Sequence, residues 1–565
     1  MSLFGSMQIA KNALSAAQLG LQVTGNNIAN AHTPDYLRQE IELRAAPTQR
    51  VGNLLLGTGV EVRAVFQRVD LYLEERLRSS TSDLANNEAQ EKTFVQLETL
   101  LGELSDTDLS SSLNRFFGAI HDVVNQPDSS AVRNVAVLAG ENLAADIRRL
   151  DRRVREERAD VNERIGVAAD EINRLTEEIA RLNIQIVQHE GGGASPSDAV
   201  GLRDRRQRAL TLLSEVIDVR AVEQTSGAVN VFSGGEFLVF DGQARRVASV
   251  QTPNRGLMTF ELRLEATDAP LRSTGGEVGG LIAARDEILG GFIDQLDEFT
   301  RTLAFEFNRV FASGQGLSGY TELTSEHAVK DPTAPLDQAG LPFAPDNGAF
   351  QVLVRDNRTG LTQTTEIRVG LNGLEDDVTL DDLVNQLDAI DGLSAEINRD
   401  GKLALSSDSA HLDFAFGDDT SGVLAALGMN TFFTGTSAGD LNVKQTVHDD
   451  PSKFAASQGG IGHDANIAEQ LAVLLSKPLA AREGGTLTGH YEGIVANVAQ
   501  NASAVRASAE GFRVFKNTLE GQKLAVSGVN LDEEAVRMMA FQRTFQASAR
   551  FISTVNELLG LLVNL

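Results

Sequence analysis

The chain has 565 residues, 42% of them apolar, and its 50 basic against 78 acidic side chains leave a net charge of −28. That length fits about four domains with real cores, and that charge repels phosphate backbones and anionic lipid, which sets nucleic-acid and membrane-surface functions aside. The absence of Cys excludes disulfides, thiolate metal sites and cysteine nucleophiles, and no Trp with only 4 Tyr beside 26 Phe leaves little for carbohydrate or base stacking. No apolar run approaches the ~18 residues of a membrane-spanning helix. Lys11, Asn12, Ser15 and Gln18 interrupt any signal-peptide core, so an exported chain would need another address.

Leu3, Met7, Ala10, Leu14, Ala17, Leu21, Thr24 and Ile28 follow one another at steps of 4, 3, 4, 3, 4, 3 and 4. This heptad seam predicts an amphipathic helix. Lys11 is its only charged side chain, so protein is expected on several sides of it. From 71 to 190 the pattern is helical almost throughout. Ile165, Ala168, Ile172, Leu175, Ile179, Leu182 and Ile186 mark a rod-like helix in a bundle. Gly191-Gly192-Gly193 and Ser195-Pro196-Ser197 end it in a turn, and a helix resumes over 202–213.

Strand signals begin at Val216, with Val229, Val231, Phe237, Val239 and Phe240 among Gly-rich turns. A helix is predicted over about 281–311. Four of the twelve prolines fall in 315–350, a domain boundary. Beyond it 350–354, 365–369 and 403–406 read as strands and 380–388 as a short helix. Helix resumes near 451 and is broken around 484–493. The last seam is Met538, Phe541, Phe545, Ser548, Ile552, Val555, Leu559 and Leu562, stepping 3, 4, 3, 4, 3, 4 and 3. Asn530 is its N-cap, with Asp532, Glu533 and Glu534 in the first turn, where the helix dipole favours negative charge.

The expected fold is multidomain α+β: terminal coiled-coil helices, a long helical bundle and inserted mainly-β modules, elongated with both termini at one end. The expected domains are an N-terminal coiled-coil segment 1–60 pairing with 520–565, a helical rod 61–215 and a β insertion 216–280. A return helix 281–325, an outer mixed β module 326–445 and a helical return 446–519 complete them. The matched seams should pair with each other or with those of neighbouring subunits. The proposed assembly residues are Leu3, Met7, Leu14, Leu21, Ile28, Met538, Phe541, Phe545, Ile552, Val555, Leu559 and Leu562.

Catalytic-looking strings lack their context. Gly314-Gln315-Gly316-Leu317-Ser318-Gly319 matches a dinucleotide fingerprint but follows a helix and leads into a loop. Gly435-Thr436-Ser437-Ala438-Gly439 matches a nucleophile elbow, yet 440–447 reads as extended rather than helical. The eight His are scattered without ligand spacing, and His448-Asp449-Asp450 reads as the start of a helix. No enzyme activity, cofactor or metal is expected.

Asn26-Asn27-Ile28-Ala29-Asn30-Ala31-His32-Thr33-Pro34-Asp35-Tyr36-Leu37-Arg38-Gln39 closely resembles the NNIANAxTPGYxRQ signature of flagellar rod, hook and hook-associated axial proteins, with Asp35 in place of the Gly. Asn30 is expected as a left-handed C-cap and Thr33-Pro34 as the stop. The C-terminus, with Val529-Asn530-Leu531-Asp532-Glu533-Glu534 and then Phe541-Gln542-Arg543-Thr544-Phe545-Gln546-Ala547, resembles that of the flagellar hook-associated protein 1 family, with Phe545 for the usual Tyr. Leu202-Arg203-Asp204-Arg205-Arg206 resembles that family's internal element, and Asn308, Phe311 and Gly314 its helix-end motif without the His.

The resemblance implies a structural flagellar subunit at the hook–filament junction, needed for filament assembly on the hook. It implies partners in the hook protein, the second junction protein, other copies in a ring, and an export chaperone on the C-terminal helix. It implies no nucleic acid and no membrane insertion. It also implies type III export to the extracellular flagellum. The competing readings are another axial subunit, hook or rod, and remotely an exported enzyme.

Overall fold

The computed structural model describes residues 3–33, 36–51, 54–102, 108–191, 199–373, 377–479 and 484–563. The predicted glycine turn at 192–197, Pro34 and Asp35 lie outside the described residues, as does the side chain of Leu562. Helix α1 (Leu3–Ala29) opens the chain, followed by strands β1 (Gln39–Ala45), β2 (Gln49–Val51), β3 (Leu54–Leu56) and β4 (Val60–Gln67). Four helices come next: α2 (Leu71–Gly102), α3 (Leu109–Asn125), α4 (Ser130–Glu190) and α5 (Val200–Val216). Six strands follow: β5 (Arg220–Glu223), β6 (Val229–Ser233), β7 (Glu236–Phe240), β8 (Gln243–Ala244), β9 (Val247–Asn254) and β10 (Leu257–Leu264). Helices α6 (Gly276–Ala283) and α7 (Gly290–Ala312) are joined by a π-helical turn at Ala284–Leu289.

The mixed region holds β11 (Glu322–Thr324), β12 (Gly348–Asp356), β13 (Thr362–Val369), α8 (Leu380–Asp388), β14 (Leu393–Ile397), β15 (Leu403–Ser407) and β16 (Leu412–Gly417). Short elements α9 (Val423–Leu427), β17 (Phe433–Thr434), β18 (Asn442–Val443), α10 (Gln445–Asp449) and α11 (Asn466–Ala472) lead to the long helices α12 (Leu487–Ser527) and α13 (Leu531–Val563). The chain forms two compact units, one of residues 1–93, 159–286 and 502–565, the other of 94–158 and 287–501.

In the first unit, β1 and β4 pair antiparallel, with Ile41 opposite Val65 and a register shift after Glu42. The second part of α4 buries Ile165, Ile172, Leu175, Ile179 and Ile186 completely. Each such side chain is worth roughly 1.5–3 kcal/mol of burial. Asparagines on the same helix stitch the strands to it. Asn173 Nδ2 donates to the Val247 carbonyl and its Oδ1 accepts from the Val247 amide, both at 2.8 Å. Asn183 treats Val229 the same way, at 2.7 and 3.0 Å. Asn162 takes the Met258 carbonyl and the Phe260 amide, at 3.0 and 2.8 Å. The β6–β7 hairpin turns on Gly234 and Gly235, with φ of +55° and +87°. Both central residues are left-handed, as a tight hairpin turn requires.

In the second unit β12 lies between β13 and β16, with Val352 opposite both Thr365 and Phe416. Helix α8 begins on a capping box, in which Thr379 and Asp382 satisfy each other's backbone amides. It packs Leu380, Leu383 and Leu387 into a core with Phe350, Phe414 and Leu405. A second cluster is aromatic: the Phe116 ring lies 5.2 Å from Phe307, 5.5 Å from Phe432 and 5.6 Å from Phe433. Gly140 on α4 leaves room for it, since a Cβ there would stand 2.5 Å from the Phe432 ring. Asn308 holds the cluster's backbone, accepting from the Phe432 and Phe433 amides and donating to the Phe433 carbonyl.

The α+β class with long terminal helices is as expected. Three local features differ from the reading of the sequence. Residues 39–67 carry four strands, where only a helical segment and its exit were anticipated; their alternation is short and interrupted by Gly and Pro. Among the described residues of 454–479 there are a short helix and a 3₁₀ turn rather than continuous helix, and α12 runs through Gly489 and Gly493. The segment after Gly439 has a two-residue strand and then α10, not an extended run.

Candidate assembly site

Helix α1 lies antiparallel along α13. Its Asn27 reaches Glu534, and seven residues back Gly20 faces Phe541, whose ring would stand 2.6 Å from a Cβ at position 20. The face of α1 toward the pair is built from small residues: Ala10, Ala16, Ala17 and Gly20 are buried, with Val23, Thr24 and Asn27 beyond them. Close approach of two helices needs such residues, because large ones hold backbones apart. The large seam residues Leu3, Met7, Leu14, Leu21 and Ile28 form the half-buried edge of this face. On α13, Glu534, Ser548 and Val555 are buried and Phe541 half-buried, a spacing of seven. Met538, Ile552 and Leu559 are half-buried, and Phe545 is 36% exposed.

A buried polar joint ties the start of α13 to the exit of α1. Arg38 is 5% exposed and Glu534 fully buried. Arg38 Nε donates to Glu534 Oε1 at 2.9 Å, and its Nη2 reaches Glu534 at 2.7 Å and Glu533 at 2.8 Å. Burial works against the Arg38 charge, but the hydrogen bonds it donates to Glu534 and then Glu533 outweigh it and hold the guanidinium above its ordinary value. Asn27 completes the joint. Its Nδ2 donates to Glu534 Oε2 at 3.0 Å and to the Gln39 carbonyl at 2.9 Å. Its Oδ1 accepts from the Gln39 amide at 3.0 Å and the Tyr36 hydroxyl at 2.9 Å. Burial, with the Asp204 and Glu534 carboxylates nearby, pushes the Tyr36 hydroxyl up. The Arg38 amide donates to the Ser527 carbonyl at the end of α12, at 2.9 Å.

The other motif residues have local roles. Asn30 Nδ2 donates to the Asn26 carbonyl and side chain, both at 3.0 Å, and its Oδ1 accepts from Thr33 Oγ1 at 3.2 Å. Asn30 is not among the residues of positive φ. It therefore closes α1 through its side chain, not through a left-handed backbone. Ala29 is exposed. Asn530 caps α13, its Oδ1 accepting from the Asp532 amide at 2.9 Å. Asp532, Gln542 and Gln546 face water. Sequence reasoning passed over Gly20, Arg38 and Glu534 as site residues. A carboxylate in a first turn reads as a dipole partner, and only the Arg38-Gln39 pair in the N-terminal motif hinted at its counter-charge.

The catalytic-looking strings have structural uses. Asp440 Oδ1 accepts from the Thr436 and Ser437 amides and from the Ser437 hydroxyl. In the glycine string the Gln315 and Leu317 amides donate to the Ser457 and Ser452 carbonyls. The Gly319 amide is likewise taken, by Asp413 Oδ2, and the Ala438 amide by Asp297 Oδ1. His448 pairs with Glu141. Among the described residues no group of three His, Asp or Glu side chains is placed to hold a metal ion. No described helix is long and apolar enough to cross a membrane.

Comparison with known proteins adds an independent line. A family model described as the flagellar hook-associated protein FlgK helical domain matches residues 94–324. Models described as flagellar basal body rod FlgEFG protein C-terminal and flagella basal body rod protein match 521–565 and 7–36. Flagellar hook-associated protein 1 of Salmonella typhimurium is 25% identical over 98% of this chain and 99% of its own. That of Escherichia coli is 23% identical over 98% of both, and that of Bacillus subtilis 23% over 100% of this chain and 98% of its own. The solved structure of the flagellar hook junction protein FlgK from Burkholderia pseudomallei superposes with a TM-score of 0.50 at 16% identity, over 80% of this chain and 100% of that one.

Proposed function

This chain belongs to the flagellar hook-associated protein 1 (FlgK) family, whose members are structural flagellar proteins and not enzymes, and we propose that it is the subunit that joins hook to filament. As such it is a component of the exported flagellum. A ring of copies caps the hook, contacts the hook protein below and receives the second junction protein above. The chain leaves the cell through the flagellar type III channel, escorted by a chaperone on the C-terminal helix.

The observation that carries this reading is the α1–α13 pair. One face of α13 is spent on α1. Outside that contact Val536, Met539, Phe551, Leu558 and Leu561 stay exposed, between 46% and 63%, Val536 and Met539 on the far side of the helix and Phe551 and Leu558 along its flank. An apolar face of that kind marks an interaction site. The seam residues Leu14, Leu21, Ile28, Met538, Phe545, Ile552 and Leu559 line the pair's edges, within reach of neighbouring copies.

The test is a chromosomal deletion, examined by electron microscopy with the medium assayed for flagellin. Hooks without filaments and flagellin shed as monomer support the junction. Missing or truncated hooks would favour the second reading, an axial hook or rod subunit, which the rod-protein models at 7–36 and 521–565 keep in view. Normal filaments would overturn both.

A further inference from the structure

The first unit contains a cavity of about 540 Å³ beside the N-terminal end of α2. Leu37, Leu71, Leu210 and Val229 give it apolar walls, and Arg78 and Tyr72 also line it. Leu71 and Tyr72 are 63% and 70% exposed, which leaves its mouth open to solvent. Arg78 is 7% exposed. Its Nε is buried without a hydrogen-bond partner, and its Nη1 makes one long contact, 3.5 Å, with Gln207. Among the described residues it has no ion-pair partner.

The neighbouring charges are committed elsewhere. The Glu74 carboxylate accepts from Gln207 at 2.5 Å and pairs with Lys523 at 3.0 Å. Arg203 pairs with Glu190 and Glu223, both at 2.8 Å. Arg206 donates to Asn183 and to the Gly227 carbonyl. Glu75, also at the cavity, is exposed to water. Burial pulls the Arg78 guanidinium below its ordinary value, against the weaker pull of Glu74 and Glu75. A buried cation with an orphaned donor is costly, and such a group calls for a counter-ion.

We propose that this cavity binds a monocarboxylate with an apolar tail, its oxyanion seated on the Arg78 guanidinium and its tail against Leu37, Leu71, Leu210 and Val229. A carboxylate in the cavity accepts from the Arg78 Nη donors in a charge-assisted hydrogen bond, the kind for which arginine is suited, while Nε lies beneath the cavity surface. The cavity is of the size in which small-molecule ligands are held. The site is independent of the junction reading, because it lies within one unit of the unassembled chain.

The experiment titrates the full-length monomer, labelled with ¹⁵N at arginine Nε, with hexanoate, acetate and hexanol. The Arg78 Nε–H resonance is identified by its loss in Arg78→Lys. It should move saturably with hexanoate and stay in place with hexanol. Affinity should rise about fourfold per methylene from acetate to hexanoate. Calorimetry on Arg78→Gln should find hexanoate bound about 10- to 100-fold more weakly. A resonance unmoved by millimolar hexanoate in the unaltered chain would overturn the proposal whatever the variants do. So would hexanol acting as hexanoate does, or equal binding by a folded Arg78→Gln chain.

Discussion

Arg38 and Glu534 are the pair on which the joint of the chain ends depends. Both are removed from water, 5% and 0% exposed, so removing either alone leaves a buried charge. Arg38→Met should cost about 3–5 kcal/mol, read as lost hydrogen-exchange protection in α1 and α13. Glu534→Gln should cost less, since Arg38 keeps Glu533 at 2.8 Å. The double variant Arg38→Met with Glu534→Leu should recover most of the loss, because an apolar pair needs no counter-charge. A double variant as unstable as Arg38→Met alone would mean that the ion pair is not the source of the effect. Lys444, in the other unit, supplies a pH test. Burial lowers its ammonium from 10.5 to about 8, the like charge of Lys402 adding to this and Glu326 opposing it. The folded value lies below the unfolded one, so the fold bears the whole penalty below pH 8. From pH 8 to 10.5 the unfolded chain still holds the proton and the folded one has released it, so stability climbs as pH rises. Urea unfolding of the parent should show this climb relative to Lys444→Met. Parallel curves for the two would remove Lys444 from the account.

The long helix α4 shows what periodicity reads and what it misses. The steps from Ile165 to Ile186 gave the apolar face, and those isoleucines are buried as read. Asn162, Asn173 and Asn183 recur every three turns and fall outside that apolar series, where a helix commonly meets water. Each instead binds a backbone amide and carbonyl of the strands. Helical period alone cannot tell a polar residue that meets water from one that meets a strand edge. Asn183, with no exposed surface, is the sharpest case. Asn183→Leu orphans the Val229 amide and carbonyl and an Arg206 donor, and should cost about 1–3 kcal/mol for each group left buried. Asn173→Leu, at the half-buried position, should cost less. Equal losses in thermal unfolding would mean that water replaces the side chain at both. The same limit applies to the terminal seams. Heptad spacing located both helices, but the contact runs through Gly20 against Phe541 and Asn27 against Glu534, beside the leucines. Small residues carry little weight in a hydrophobic pattern, yet they decide how closely two helices approach. The motif around Asn26–Gln39 carried what the pattern lacked, since Asn27, Tyr36 and Arg38 meet in the joint.

Across the whole chain the charge is unevenly placed. Helices α1 and α13 together hold Lys11, Arg537, Arg543 and Arg550 against Asp532, Glu533, Glu534 and Glu557, and so are neutral. The entire −28 belongs to the rest of the chain. In the proposed assembly through these helices, copies would meet at a neutral part of the sequence, while the acidic charge elsewhere keeps free monomers apart. Arg543 and Arg550 are exposed and take no part in the joint, so reversing them alters the field of the pair without breaking its packing. In Arg543→Glu with Arg550→Glu the pair becomes acidic. Its binding to purified hooks should slow about tenfold at low salt. At ~1 M salt, where the screening length falls to about 3 Å, the rate should return toward that of the parent. A variant that binds as fast as the parent at low salt would show that the neutral pair is not where copies first meet. A variant that stays slow at high salt would mean that the arginines act by direct contact instead.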